Sequence, residues 1–208
     1  MASVGSLREH LVEELTDLYD AENQLLEALP EMAKRASSRQ LKTAFQSHLA
    51  QTRNQTKRVA LALKLLGEKA ERKTCDAMKG LLEEGQELMQ GAEPGALQDA
   101  MLITAAQKVE HYEIATYGTV RTYAQVLGAR GVAKLLEQTL KEEKGADKKL
   151  TSIAEGSVNK RAAKEYHEQA SAGAMLQKGA KWLGSTVGAL MPGSQRSQAA
   201  DKKRSKKR

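Results

Sequence analysis

Hydrophobic residues recur along this chain at spacings of three and four, the period of one face of an α-helix. The first such stripe follows a Ser-to-Glu capping signature at residues 6–9 and consists of Leu7, Leu11, Leu15, Leu18, Glu22, Leu25 and Leu29. Three further long stripes cover about residues 41–66, 94–127 and 132–154. A shorter helix is predicted over about 77–90, inside the connection between the second and third long helices. Such an excursion can carry the chain from one end of a helical bundle to the other, so the pattern predicts a four-helix bundle with one crossover connection.

Composition supports an all-α fold. Hydrophobic residues make up 40% of the chain but aromatic residues only 3%, and there are three prolines. Residues with high helix propensity dominate, while the β-branched and aromatic residues that strands prefer are scarce. The single cysteine, Cys75, excludes an intramolecular disulfide framework and a cysteine-based zinc site. We find neither a secretory signal nor an apolar run of roughly 18 residues, so we expect a cytoplasmic protein.

The basic charge is confined to one end of the chain. The net charge is +7, yet residues 1–160 carry 22 Lys and Arg against 23 Asp and Glu, whereas residues 161–208 carry 11 against 3. The body therefore lacks the excess of positive charge expected of a nucleic-acid-binding surface. The segment 175–191 places apolar residues at helical spacing, and residues 202–208 contain six basic residues in seven. We expect residues 175–208 to contact nucleic acid or anionic membrane non-specifically, with strong salt dependence.

Acidic residues interrupt the apolar stripes of three of the long helices. They are Glu22, Glu110, Glu113, Glu143 and Asp147. The stripe of the second helix has no acid but has polar residues at matching positions: Leu41, Phe45, His48, Thr52, Gln55, Val59 and Ala62. Burying an isolated carboxylate costs several kcal/mol unless it is paired or bound to a cation. The pattern leaves two alternatives open: a core lined by ligands for iron or manganese, or a hydrogen-bonded polar core.

Several segments resemble the YciE/YciF family of bacterial ferritin-like stress proteins. The most specific are "AAQKVEHYEIATYGT" at 105–119 and "LLEQTLKEEKGADKKL" at 135–150, and the resemblance extends over about residues 6–155. It implies a ferritin-like bundle over residues 1–158, an association with stress, a homodimer, and a di-iron or similar metal centre. Residues 159–208 would then be a C-terminal appendage outside the family domain.

Carried over by position, the resemblance implies Glu22 as the ligand of the first helix, Glu110 and Glu113 of the third, and Glu143 and Asp147 of the fourth. The second helix departs from the family pattern, because "HLAQT" at 48–52 stands where the family commonly has "HLEET". Gln51 therefore occupies an expected ligand position, and a neutral amide is a weaker iron ligand than a carboxylate. His48, one turn earlier, is a further candidate ligand. We expect weak binding of iron or manganese, and we assign no catalytic residue.

Three functions remain open from the sequence. The first is a ferritin-like stress protein with an impaired carboxylate metal site and at most a weak oxidase or peroxide-scavenging activity. The second is a metal-free structural protein whose acids form a polar core. The third is a dimeric scaffold that presents its basic tails to DNA or anionic membrane.

Overall fold

A computed structural model of the chain describes residues 5–171. It contains five α-helices, which are α1 (Leu7–Arg35), α2 (Arg39–Leu65), α3 (Asp76–Gln90), α4 (Ala96–Val126) and α5 (Arg130–Ile153). No strand occurs among the described residues. The four long helices and the short helix of the crossover are confirmed, with ends within about two residues of those predicted. No helix between residues 5 and 171 combines the length and the apolar character needed to cross a bilayer.

Local signals set the starts of the helices. The Ser6 hydroxyl accepts a hydrogen bond from the backbone N–H of Glu9 at 3.2 Å, and the Glu9 carboxylate accepts one from Gly5 at 2.7 Å. Ser38 caps α2 in the same way by accepting from Leu41. These side chains satisfy N–H groups that have no partner inside the helix. Before α5, Gly128 adopts a φ of 73°, a conformation that other residues rarely take.

The apolar core is divided into two clusters along the bundle axis. One contains Leu11, Leu15 and Leu18 of α1 with Val59, Val120 and Leu136 from the other long helices. The other contains Leu25 and Leu29 of α1 with Phe45, Leu102 and Leu150. On each long helix, the buried ionisable residues of the stripe lie at the junction of the segments that enter these two clusters. The bundle therefore encloses a polar layer near its middle.

After α5 the chain makes one π-helical turn, Ala154–Val158, and remains helical through 159–171. The domain boundary at 158 stays a prediction, and the compact unit that contains the bundle ends at Glu165. The predicted apolar segment 175–191 and the basic run 202–208 lie outside the described residues.

A buried carboxylate fixes the turn between α1 and α2. Asp99, on α4, is fully buried, and its two oxygens accept hydrogen bonds from the backbone N–H groups of Ser37 and Ser38 at 2.7 and 2.8 Å. Arg161 lies 3.6 Å from the same carboxylate. Ser37 and Ser38 directly precede the first residue of α2, so this one side chain connects the start of α2 to α4.

We expect Asp99→Asn to lower the free energy of unfolding by about 2 kcal/mol, since an amide offers one acceptor oxygen to two N–H donors and leaves the other donor unsatisfied. Urea denaturation monitored by circular dichroism measures this change. The same acid-to-amide change at the exposed Glu87 should cost less than about 0.5 kcal/mol. Equal effects of the two substitutions would contradict the role given to Asp99.

Candidate metal centre

Four side chains from three helices meet in the polar layer. They are His48 of α2, Glu110 and Glu113 of α4, and Glu143 of α5, and one potential ligand atom from each lies within 4.8 Å of the others. All four residues are buried, with exposed fractions of 6% or less. Glu110 and Glu113 can both reach the centre because residues three apart share one face of a helix.

Glu22 of α1 lies beside this cluster. It is fully buried, and its Oε1 accepts a hydrogen bond from the Tyr117 hydroxyl at 2.5 Å. Burial raises the pKa of Glu113, and the negative charge of Glu22 is the next largest cause of that rise. With Glu22, every long helix of the bundle contributes an ionisable side chain to the polar layer.

Most of the polar atoms in the cluster have no hydrogen-bond partner among residues 5–171. Nε2 of His48 lies 3.3 Å from Oε1 of Glu110 and 3.7 Å from Oε2 of Glu143, but neither contact has hydrogen-bond geometry. The atoms without a partner are both ring nitrogens of His48, both oxygens of Glu113, and one oxygen each of Glu22, Glu110 and Glu143. Buried polar side chains are normally paired, so a concentration of unpaired atoms of this kind requires an explanation.

Burial dominates the electrostatics of the site. It raises the pKa of Glu22, Glu110 and Glu113 well above the usual range of a carboxyl group, and the neighbouring carboxylates add to the rise. Burial also raises the pKa of Glu143, to about 8. The same desolvation lowers the pKa of His48, since removal from water disfavours the charged form of any group. Without a cation, the cluster therefore retains protons at neutral pH.

A second set of side chains orients Glu143. The Gln55 amide donates hydrogen bonds to Glu143 and, at 3.1 Å, to Glu142. Arg58 in turn donates to Glu142 at 2.5 Å and to the Thr139 hydroxyl at 3.1 Å. The sequence places Gln55 on the same face as His48, but it gives no sign of this contact, which depends on how α2 is aligned with α5.

The structure separates the predicted ligands into three groups. It brings together His48, Glu110, Glu113 and Glu143, with Glu22 adjacent. Gln51 is half-buried and lines a cavity together with His48 and Glu110, where its side chain lies close enough to His48 to raise the pKa of the imidazole against the effect of burial. The carboxylate of Asp147 is directed elsewhere, because it accepts a hydrogen bond from Gln107 at 3.1 Å and lies 3.4 Å from Nε2 of His111.

The physical reason for the position of Asp147 is helical geometry. A residue four positions after Glu143 is rotated by about 40° around the helix axis, which moves its side chain from the centre of the face to the edge. There it meets the partly exposed polar residues of α4. Tyr117, in contrast, contributes more than packing, since its hydroxyl holds one of the candidate ligands.

Comparison with known proteins identifies the family. The profile of DUF892, described as a domain of unknown function, matches residues 6–163. This chain belongs to the DUF892 family. It is 48% identical to protein YciF of Escherichia coli over 149 residues, which are 71% of this chain and 90% of YciF. The resemblance to the YciE/YciF family is thereby confirmed.

Two solved structures of similar proteins support the fold. The structure of the E. coli stress protein YciF matches with a TM-score of 0.72 and 44% identity, covering 76% of this chain and 99% of YciF. YcfI of Rhodopseudomonas palustris, a candidate structural protein, matches with a TM-score of 0.71 and 37% identity, covering 74% and 98% of the two chains. This chain thus shares its all-α fold with these two proteins.

The raised pKa values predict a pH-dependent stability for the protein freed of metal by a chelator. A carboxyl group whose pKa is higher in the folded state stabilises the fold when protonated, and this contribution is lost as the pH rises from about 4.5 toward about 8. The pKa of His48 is lowered in the folded state, so the imidazole contributes a stability that increases as the pH rises toward about 6.5. Since four carboxyl groups oppose one imidazole, the cluster should destabilise the protein as the pH rises.

Glu113→Gln isolates this effect, because the amide has the same shape and no charge. We expect the melting temperature of Glu113→Gln, relative to that of the unsubstituted protein, to increase steadily between pH 5 and pH 8 in the presence of chelator. Thermal unfolding followed by circular dichroism measures the difference. Glu87→Gln should show no such trend, and a flat difference for Glu113→Gln would mean that the carboxyl is not buried as described.

Proposed function

We propose that this protein is a YciF-like stress protein whose helical bundle binds iron or manganese at His48, Glu110, Glu113 and Glu143. The observation that carries the proposal is the approach of four buried ligand atoms to within 4.8 Å of one another, most of them without hydrogen-bond partners. A cation would satisfy these atoms and remove the repulsion among the carboxylates. The association with stress rests on the similar E. coli protein.

The set of donors favours a transition metal of intermediate hardness. Three carboxylates and one imidazole suit iron and manganese, whereas the absence of thiolates among the four disfavours ions that prefer sulfur. A bound ion of this type would supply Lewis-acid or redox chemistry among ligands whose side chains are almost completely buried. The protein's own contribution is to hold the ligands in place: Gln55 positions Glu143, and Tyr117 positions Glu22.

We propose one ion per chain rather than a tightly bound pair. The four residues with mutually close ligand atoms describe a single centre, and Glu22 stands at its edge. A second ion next to Glu22 would need another anionic ligand from α2, where the chain has the neutral residues Gln51 and Gln55. Neutral amides offset less of the repulsion between two cations than carboxylates do.

The alternative is a metal-free polar core. The raised pKa values favour it, because protonated carboxyl groups can donate hydrogen bonds to neighbouring carboxylates and to His48. In this case the cluster would serve the specificity of packing, in keeping with a structural role. The two candidates differ in whether metal is retained by the purified protein.

Metal analysis of purified protein by mass spectrometry decides between them. We expect at most one iron or manganese ion per chain in the unsubstituted protein, and a loss of most of it in Glu113→Gln, which removes a carboxylate ligand. Gln51→Glu should raise the metal content, because it adds a negative charge beside His48. The matched control is Gln86→Glu on the exposed face of α3, which should leave the content unchanged.

Two results would contradict the proposal in different ways. Two tightly bound ions per unsubstituted chain would show that the site is a complete pair despite Gln51. If neither the unsubstituted protein nor Gln51→Glu retains iron or manganese after reconstitution, the polar core is the correct assignment.

A further inference from the structure

An elongated cavity of about 890 Å³ opens between α2 and α5 and reaches the candidate metal centre. We refer to it as the α2/α5 slot. His48 and Glu110 form part of its inner wall, and its floor is apolar, with Leu25, Leu29, Met32, Phe45, Val109 and Leu150. Its volume lies toward the upper end of the range for small-molecule sites, about 300–1,000 Å³.

Small residues line the slot on both of its helices. Ala44 and Ser47 line it on α2, and Gly145 and Ala146 line it on α5. A Cβ atom added to Gly145 would meet no atom within 4 Å. The lining extends from Arg39 to Gln51 on α2 and from Gln138 to Leu150 on α5. Because an α-helix rises 1.5 Å per residue, the slot is about 18 Å long.

Water alone is a poor occupant of such a space. A buried water molecule needs two to four polar partners, and the floor of the slot offers hydrocarbon. Pockets of this size that combine an apolar surface with a few polar groups are typical of small-molecule sites, so the slot can accommodate a ligand with an extended apolar part.

The rim of the slot is positively charged. Arg39, Lys141 and Lys149 are exposed at it, and within residues 5–171 none of the three forms an ion pair. Glu142, the carboxylate at the rim, is already bound by Arg58 and Gln55. The rim therefore offers three exposed cations, of which Lys141 also interacts electrostatically with Glu137, next to an apolar floor.

We propose that the α2/α5 slot binds an amphipathic carboxylate, such as a medium- or long-chain fatty acid. The carbon chain lies along the apolar floor, and the carboxylate is held by the cations of the rim, so that part of the chain passes beside His48 and Glu110. This goes beyond the proposed metal site and does not require the metal. Charge disfavours the protein's own segment 175–191 as the occupant, since it carries Lys178 and Lys181 and no acidic residue.

Titration calorimetry of the full-length protein with dodecanoate, below its micellar concentration, tests the proposal. We expect saturable binding of one molecule per chain, weakening several-fold for each pair of methylenes removed on going to decanoate and octanoate. The cationic analogue dodecyltrimethylammonium should show no saturable binding. The titration is carried out on chelator-treated and on metal-reconstituted protein, and both should bind.

Two variants locate the site. Ala146→Phe fills the slot and should weaken dodecanoate binding more than tenfold. The double variant Lys141→Gln/Lys149→Gln should weaken dodecanoate five- to tenfold while leaving the affinity for uncharged decanol unchanged. The matched control, Lys144→Gln/Lys148→Gln, changes two exposed lysines of the same helix that do not line the slot, and should bind as the unsubstituted protein does.

The proposal fails if the two lysine pairs weaken dodecanoate binding equally, because the anion would then be recognised by general positive charge, including the basic tail. It also fails if Ala146→Phe, shown to be folded by circular dichroism, binds dodecanoate normally or changes the sedimentation coefficient, which would indicate that a second copy of the chain covers the slot. Binding confined to the metal-reconstituted protein would place the carboxylate on the metal instead of the rim. If Ala146→Phe does not fold, the surface lysine variants still decide the outcome.

Discussion

The cost of burying carboxyl groups in the middle of a helical bundle constrains the rest of this structure. Glu22, Glu110, Glu113 and Glu143 are all almost completely removed from water, and only part of their hydrogen-bonding capacity is used. An uncompensated buried charge is among the most destabilising features a fold can contain. The surrounding bundle must therefore supply enough apolar contact to hold these groups together, or a cation must offset their repulsion.

The arrangement of the core meets this requirement. Two apolar clusters, one on each side of the polar layer, hold the four long helices in register, so that the layer is confined to a short length of the bundle. Within it, Tyr117 and Gln55 donate to carboxylates from other helices, and Arg58 brings a positive charge close to Glu142. Each of these contacts joins two helices. The bonds from Tyr117 and Gln55 also orient Glu22 and Glu143 and satisfy part of their hydrogen-bonding capacity.

Helix α2 is the least acidic side of the polar layer, and it also borders the α2/α5 slot. In place of a carboxylate it offers His48 and Gln55 to the cluster, while Gln51 faces the cavity beside them. Small residues on α2 and α5 leave open the path between solvent and the candidate centre. The same helix pair therefore limits the negative charge available to a metal and provides the space through which a ligand could approach it.

The periodicity of the sequence was sufficient to predict the helices, the crossover and most of the inward-facing residues, because burial on one helical face depends on a repeat of 3.6 residues that any single helix displays. It also placed Glu22, His48, Glu110, Glu113 and Glu143 on inner faces, where the structure has them. Which polar residues of the inner faces meet at the candidate centre was decided by tertiary structure. Asp147 contacts α4, Gln51 lines the slot, and Gln55 donates to Glu143. Periodicity specifies which face of a helix is buried, but the level at which side chains from different helices meet depends on how the helices are aligned along the bundle, and that is decided by packing among distant parts of the chain.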